Sequence, residues 1–287
     1  MLRIDLGPFQ ELHIGRCIVK NSPERSLFAV EGNMPILRGN EFLPETAARA
    51  PLQKLYHCIQ QMYLEEAHDK FQSRYLQLKA DCLRHYLNLS AEIKTADQLI
   101  ENGNFYRALK SLRSLASAFD PDNFGCDQMG RFADAPGRKS IRFELEPFEE
   151  LHIARCTIVN SHEKSLLAIE GRIPILMGKK FLPETAAHSA LEKLYCCVQQ
   201  MYLKEAHSKY QGRYLQLAAE TLRNEPSLSA DLNAADQLIT TGDFYSALKS
   251  IKKQIPAAAF ASKGAGTIKE GRPANYVARV NGWKQRR

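Results

Sequence analysis

A histidine and a cysteine four positions apart occur twice in this sequence, as His13 with Cys17 and as His152 with Cys156. Imidazole and thiolate bind borderline metals, so the pair is the first candidate for chemistry. On one continuous strand the two side chains share a face but stand about 13 Å apart, at about 3.3 Å per residue. Metal ligands lie about 2.0–2.3 Å from the ion, so the pair reads as structural. The other candidates end the same way. Cys58, its counterpart Cys197, and Cys82 lie on or beside apolar helical stripes and read as small buried thiols. Glu65 and Glu66 are adjacent, and adjacent helical residues do not face one another. His68 and His207 recur without a serine or cysteine partner. There is no glycine-rich phosphate loop, no GxSxG, no HExxH and no paired-cysteine metal pattern. The sequence therefore predicts a protein that is not an enzyme and uses no metal or cofactor.

What remains is positive charge. The first forty residues hold Arg3, Arg16, Lys20, Arg25 and Arg38, and a later stretch holds Arg142, Arg155, Lys164, Arg172, Lys179 and Lys180. Cations that neutralise phosphates, with planar groups on which exposed bases stack, are what single-stranded RNA recognition uses. Asp5, Glu11, Glu24 and Glu31 interleave with the first set, so no pure basic stripe exists, and ordinary surface charge is the competing account. Tyr56, Tyr63, Tyr75 and Tyr106 lie at helical spacing among apolar residues and are expected in the core. The net charge of +7 is concentrated in residues 256–287, where seven Lys/Arg face one acid. The rest is close to neutral, so the basic balance by itself is weak support for nucleic-acid binding.

Those cations sit on a chain that repeats itself. Phe9-Gln10-Glu11-Leu12-His13-Ile14 returns as Phe148-Glu149-Glu150-Leu151-His152-Ile153, and Phe42-Leu43-Pro44-Glu45-Thr46-Ala47-Ala48 as Phe181-Leu182-Pro183-Glu184-Thr185-Ala186-Ala187. The offset is 139 throughout, without a gap, and about 60% of positions 9–115 are identical in the second copy. A period of that size is a small domain rather than a solenoid unit. The expected organisation is a first copy over 1–115, a linker over 116–140, a second copy over 141–255 and a basic, poorly ordered tail over 256–287.

Each copy opens with β-type sequence. Leu2, Ile4 and Leu6 alternate with polar residues; Leu12, Ile14 and Ile18 are expected on one face of a second run; Ser26 to Val30 and Pro35-Ile36-Leu37 follow the turns at Asn21-Ser22-Pro23 and Gly32-Asn33. Helical period takes over after Pro44, with stripes Leu52-Leu55-Tyr56-Ile59-Met62-Tyr63, then Phe71-Tyr75-Leu78-Cys82, then Leu89-Ile93-Ala96-Ile100. Gly103 suits a left-handed cap, and Asn104 (Asp243 in the second copy) an N-cap for a last helix with Phe105, Leu109 and Leu112. The fold class is α+β: two copies of a small domain, each a short antiparallel sheet followed by three or four helices. The chain of 287 residues and 32.5 kDa, 44% hydrophobic and 25% charged, has an ordinary globular composition. No apolar run approaches the roughly 20 residues of a membrane span, and Met1–Leu6 has no signal-peptide core. Seven cysteines, odd in number and without CxxC, read as reduced thiols of a cytoplasmic protein.

The ordered set Pro35-Ile36-Leu37-Arg38, Leu55-Tyr56-x-x-Ile59-Gln60-Gln61-Met62-Tyr63-Leu64 and Gly103-Asn104-Phe105-Tyr106-x-Ala108-Leu109-Lys110 resembles the FlbT family, as does Ile18–Asn21 followed by Arg25. The second copy repeats the pattern through Asn160, Lys164, Pro174-Ile175-Leu176, Leu194-Tyr195, Gln200-Met201-Tyr202-Leu203 and Gly242-Asp243-Phe244-Tyr245-x-Ala247-Leu248-Lys249. The resemblance implies a post-transcriptional regulator that binds the 5′ untranslated region of flagellin mRNA. It implies repression of translation and faster mRNA decay during flagellum biogenesis, with a FlaF-like protein as functional partner; some family members activate instead. Family members are usually a single copy. In the second copy Met177 replaces Arg38 and Lys164 replaces Arg25, so an arginine fork is lost at each position.

Two function classes follow. In one, the eleven basic residues named above contact a flagellin leader RNA and the tail adds non-specific attraction. In the other, the near-neutral duplicated domain is a protein-interaction module for a FlaF-like partner and acts on flagellin expression indirectly. A further expectation is that the two copies form an intramolecular pseudo-dimer.

Overall fold

The computed structural model describes residues 2–118, 140–161, 163–171 and 173–261. Each sequence repeat supplies five strands and then four α-helices. In the first these are β1 (Leu2–Leu6), β2 (Glu11–Ile14), β3 (Cys17–Asn21), β4 (Ser26–Gly32), β5 (Ile36–Arg38), α1 (Pro51–Glu65), α2 (His68–His85), α3 (Ser90–Glu101) and α4 (Phe105–Ala118). In the second they are β6 (Ser140–Leu145), β7 (Glu150–Ile153), β8 (Cys156–Asn160), β9 (Ser165–Glu170), β10 (Ile175–Met177), α5 (Ala190–Lys204), α6 (His207–Asn224), α7 (Ser229–Thr240) and α8 (Phe244–Lys252). The α+β class and the duplication are both present. Of the expected linker, residues 116–118 finish α4 and Ser140 opens β6, while 119–139 lie outside the described residues. Of the expected tail, Ala257–Ala261 form a short helix, α9, and 262–287 lie outside the described residues.

The compact units do not follow the repeats. One takes the chain to Pro147 and then Asn160–Ile173; the other takes Phe148–Val159 and the chain from Pro174 onward. The first unit thus contains β6 and β9 of the second repeat. Its five-stranded sheet runs β5-β2-β3-β9-β6, with every pair antiparallel. The register pairs Val19 with Ile169 and Lys20 with Ala168 across β3 and β9. β1 and β4 form a separate antiparallel pair in this unit, with Ile4 opposite Phe28. In the second unit β7 pairs with both β8 and β10.

The hairpin between β2 and β3 corrects two strand assignments. The chain reverses at Gly15-Arg16, with Gly15 at φ 56, so residues 12–18 are not one strand. His13 stands opposite Ile18, and Ile14 opposite Cys17. Residues paired across a ladder share a face and neighbours along a strand alternate. His13 and Ile18 therefore face one side, Ile14 and Cys17 the other. The histidine and cysteine do not share a face, and Ile18 parts company with Leu12 and Ile14. The sequence signal for the turn was the lone glycine; Ala154 holds the same position in the second repeat at φ 47, which a Cβ makes costly.

The helical stripes become two cores. Leu52, Leu55, Tyr56, Ile59 and Met62 of α1 pack with Phe71, Tyr75 and Cys82 of α2, Ile93, Ala96 and Ile100 of α3, and Phe105, Leu109 and Leu112 of α4. Leu191, Leu194, Tyr195, Val198 and Met201 of α5 do the same with α6, α7 and α8. Buried amides fasten loops to these cores. Gln60 Oε1 accepts from Leu43 N at 2.8 Å and Gln60 Nε2 donates to Leu43 O at 3.1 Å; Gln199 clamps Leu182 in the same way at 2.9 and 3.1 Å. Asn160 is a second hub. Its Nδ2 donates to Leu145 O (2.9 Å), Glu146 O (3.2 Å) and Glu163 O (2.7 Å), and its Oδ1 accepts from Ser161 N and Ser165 Oγ, each at 3.0 Å. Asn160→Ala is expected to cost about 3 kcal/mol, because buried carbonyls and a hydroxyl lose their partners. Urea unfolding of the full chain measures it.

The two strand histidines are wedged in. His152 stacks on Phe181 with centroids 3.8 Å apart, and His13 stacks on Phe42 at the same distance. Burial holds the His152 imidazole down to about 4, and Glu150, 3.6 Å from Nε2, offsets this only in part. A native pKa below the unfolded value of about 6.5 means that the unfolded chain takes up the proton first as pH falls. Stability from this group is thus complete above about pH 6.5 and is lost toward pH 4, by about 3 kcal/mol in total. His152→Leu is expected to remove that part of the pH dependence, read as the difference in urea midpoints between pH 7 and pH 4.5.

Candidate nucleic-acid interface

The eleven basic residues fall into different environments. Arg3 on β1, Arg16 in the β2–β3 turn, Arg142 on β6 and Arg155 in the β7–β8 turn are exposed. Arg172 lies outside the described residues. Lys20 is not a surface cation. Its ammonium lies 3.1 Å from Glu11 and 2.9 Å from Glu170, and the Glu170 side chain is only 5% exposed. Burial would lower the Lys20 pKa, but the hydrogen bond it donates to Glu170 and the Glu11 charge outweigh this and hold the group above the ordinary lysine range. Lys20 is an internal ion pair of the sheet, and its charge is already satisfied.

Arg25 precedes β4 and makes a two-point contact with Asp5: Nε donates to Oδ1 at 2.8 Å and Nη2 binds Oδ2. The Arg25 hydrogen bond holds the Asp5 carboxyl below the usual carboxylate range, and Arg38 adds to the pull. Arg25 thus touches Asp5 directly, while Arg38 acts on it only through its charge. Asn21 builds this corner. Its Nδ2 donates to Leu6 O (2.9 Å), Gly7 O (3.1 Å) and Glu24 O (2.7 Å), which ties the end of β1 to the turn that carries Arg25. Arg38 closes β5, is exposed, and enters no ion pair among the described residues. Tyr106, 38% exposed, donates from its hydroxyl to Glu41 at 3.2 Å and lies within electrostatic reach of Arg38. The helical spacing of Tyr106 suggested core, and exposure at the start of α4 is where it departs. Tyr56 and Tyr75 are buried as expected, and Tyr63 is half-buried with its hydroxyl on Ile36 N.

Not all of the arginines converge. Arg38 lies in register with Leu12, Val19, Ile169 and Ile141 across the first unit's sheet. Arg142 lies in the row of Lys20 and Ala168, one step along, and so on the opposite face. The second repeat answers Arg25 and Arg38 differently. Lys164 is held by Glu144 at 2.7 Å and Glu146 at 3.2 Å, and Met177 takes the place of Arg38.

Lys179 and Lys180 follow β10. Lys179 is exposed, 4.0 Å from Glu149. Lys180 Nζ donates to the Tyr245 hydroxyl at 2.8 Å and lies 5.3 Å from that ring's centroid. Lys252 Nζ donates to Lys179 O at 2.8 Å, so the end of α8 meets the loop after β10. Lys249, Lys252 and Lys253, which reading by the sheet region alone missed, share that end of the helix. Their i, i+3, i+4 spacing is the sequence signal that could have found them.

Among the described residues no group of three or more His, Cys, Asp or Glu side chains is placed to hold a metal ion. Cys17, Cys58, Cys82, Cys156, Cys196 and Cys197 are buried and unbridged, and burial pushes the Cys17, Cys82 and Cys196 thiols up to about 12. His68 stacks on Phe105 and His207 on Phe244, each at 4.1 Å, so both act as flat packing surfaces. No helix among the described residues is long and apolar enough to cross a membrane.

The profile of the family described as flagellar protein FlbT matches the chain twice, over residues 2–118 and 141–259. A protein of Rhodopseudomonas palustris strain TIE-1, named probable flagellum biosynthesis repressor protein FlbT, is 33% identical over 114 residues, which is 40% of this chain and 90% of that protein. A protein of Bradyrhizobium diazoefficiens, named probable flagellum biosynthesis repressor protein FlbT 1, is 29% identical over 117 residues, 40% of this chain and 80% of that protein. No solved structure matches. With both repeats matched nearly end to end, the chain belongs to the FlbT family of flagellar proteins, in tandem duplicate.

Proposed function

We propose that this protein is a cytoplasmic post-transcriptional regulator of flagellin synthesis, which binds the 5′ untranslated region of flagellin mRNA, represses translation and promotes decay of the message. The double match to the FlbT family carries the reading, and the repressor names of the relatives support it. Contact with RNA falls on the first repeat, where Arg3, Arg16, Arg25 and Arg38 are exposed and Arg38 enters no ion pair among the described residues. Arg38 supplies a planar fork for phosphate or a surface for base stacking, and Tyr106 a ring nearby. Arg142, Arg155, Lys164 and Lys179 are secondary contacts, and Lys20 contributes only through folding. The basic tail adds sequence-independent attraction.

Arg38→Ala is expected to weaken binding to a flagellin leader several-fold and to lower the salt slope by about 0.7, the loss of one contact on single-stranded RNA. Stability should stay within about 0.5 kcal/mol, because the side chain is exposed and touches the fold only through the field it exerts on Asp5 and Tyr106. Removing residues 262–287 should lower the slope further and leave the preference for the leader. Unchanged leader binding in Arg38→Ala and Arg25→Ala together would overturn the assignment.

One observation favours the protein-interaction reading. The string Arg74-Tyr75-Leu76-Gln77-Leu78 returns unchanged as Arg213-Tyr214-Leu215-Gln216-Leu217. Leu76 and Leu215 are 48% and 58% exposed on their helices. An apolar side chain kept outward in both repeats fits a docking site for a FlaF-like protein. Photo-crosslinking in cells separates the readings: nucleotides attached to the first repeat support direct binding, and protein adducts at Leu76 and Leu215 without nucleotides support the indirect route. The presence of β9 in the first unit's sheet supports the further reading that one chain does the work of two single-repeat copies, for which a monomer in light scattering is expected.

A further inference from the structure

The two repeats place opposite charge at one corner of their helical layer. In the first repeat that corner holds Glu41. Its carboxylate accepts from Tyr106 at 3.2 Å and from Arg38 N at 3.1 Å, and it lies 3.9 Å from Arg113, which in turn donates to Asn40 O at 2.8 Å. The acid neutralises the helix cation. In the second repeat the frame is the same and the sign is reversed. Lys180 takes the place of Glu41, its Nζ donates to Tyr245 (the counterpart of Tyr106), and Lys252 (the counterpart of Arg113) donates to Lys179 O.

The result is a cavity of about 390 Å³ lined by Lys180, Lys249, Lys252 and Lys253, with Tyr245 and Leu248. Leu176 and Tyr195 complete an apolar wall. No carboxylate among the described residues forms an ion pair with any of these four lysines; Asp243 acts on Lys249 only at longer range. The end of α8 carries a partial negative charge of about half an electron, which offsets only part of four positive ones. Lys252 responds to the crowding. Burial, then Lys180 and Lys179, hold its ammonium below the ordinary lysine range.

We propose that this cavity of the second repeat binds a phosphate monoester carried on an aromatic or apolar body, a nucleotide being the simplest case. The lysines supply positive charge for the dianion at the pocket's margin, Tyr245 adds a hydroxyl, and the leucines and Tyr195 face the body. A phosphate supplies the counter-charge that Glu41 supplies in the first repeat. An open pocket of this size admits one nucleotide, either free or as the 5′ end of a strand. The inference does not depend on the leader-binding reading, which rests on the first-repeat arginines.

Titration calorimetry on the full chain at low salt tests it with adenosine 5′-monophosphate, adenosine and inorganic phosphate. The monophosphate should bind saturably, adenosine should not, and inorganic phosphate should compete. Lys180→Glu installs the first repeat's residue in a frame that already accommodates it, and should weaken the monophosphate at least tenfold. Lys94→Glu makes the same charge change at an exposed site on α3 and should leave it unchanged. Hexanucleotides with 5′-phosphate and 5′-hydroxyl ends distinguish a strand end from a free nucleotide: only the phosphorylated one binds here if strand ends enter, and neither does if the site takes free nucleotides. No saturable binding of monophosphate or phosphate, or equal losses in Lys180→Glu and Lys94→Glu, would overturn the proposal. Leader binding lost in Arg38→Ala with monophosphate binding intact would bear on the leader reading alone.

Discussion

The ladder between β3 and β9 is the constraint from which the rest of the first unit follows. β3 belongs to the first sequence repeat and β9 to the second, yet they lie side by side in one sheet with β6 beyond. The pairing is sealed by Lys20, which bridges Glu11 on its own repeat and Glu170 on the other. A half-buried cation between two carboxylates is costly to lose, because its removal leaves the buried Glu170 carboxylate without that counter-charge. It also fixes register, since a slip of one residue would turn Lys20 to the face that carries Leu12 and Val19. The close approach at the end of β9 has its own requirement. Gly171 has φ +131, and a Cβ there would come within 2.8 Å of Arg16 O.

This constraint makes two similar repeats unequal. Glu31 is the counterpart of Glu170, but it is exposed while Glu170 is buried, and the counterpart of Lys20 is Val159. The same residue type at the same repeat position therefore does different work. The surface cations follow suit. The first repeat couples Arg25 to Asp5 and leaves Arg38 outward; the second ties Lys164 to two glutamates and lacks the second arginine. Positive charge free to meet a ligand has moved from the β-strand edge in one repeat to the end of α8 in the other.

Much of the fold was legible because its signals are local and doubled. The helical stripes around Leu55 and Leu194 became cores, and a period visible in both copies guards against accidental alternation. The β2–β3 turn was misread because a two-residue hairpin at Gly15-Arg16 leaves almost no compositional mark, and in the second repeat not even a glycine. The exchange of β6 and β9 was invisible for a different reason. Nothing in a strand's own sequence says which of two homologous edges it will pair with, and the deciding contact, Lys20 with Glu170, spans 150 positions of the chain. At the candidate interface, residue type alone nominated Lys20 and Arg38 equally. Only their neighbours separate a satisfied cation from an available one.

The lysine corner illustrates how duplication can release a site from its structural duty. In the first repeat Glu41 accepts from a tyrosine hydroxyl and from the Arg38 backbone while neutralising Arg113, so the corner is internally balanced and offers nothing to an anion. The hydrogen-bond frame survives replacement of that acid, because Tyr195 still donates to the Lys180 carbonyl as Tyr56 does to that of Glu41, and Lys252 still reaches the backbone of Lys179. Packing therefore does not demand an acid at this position; only charge balance does. With the frame held by backbone contacts and the acid gone, the imbalance persists in the folded protein, and a bound anion would restore the balance without rebuilding the corner.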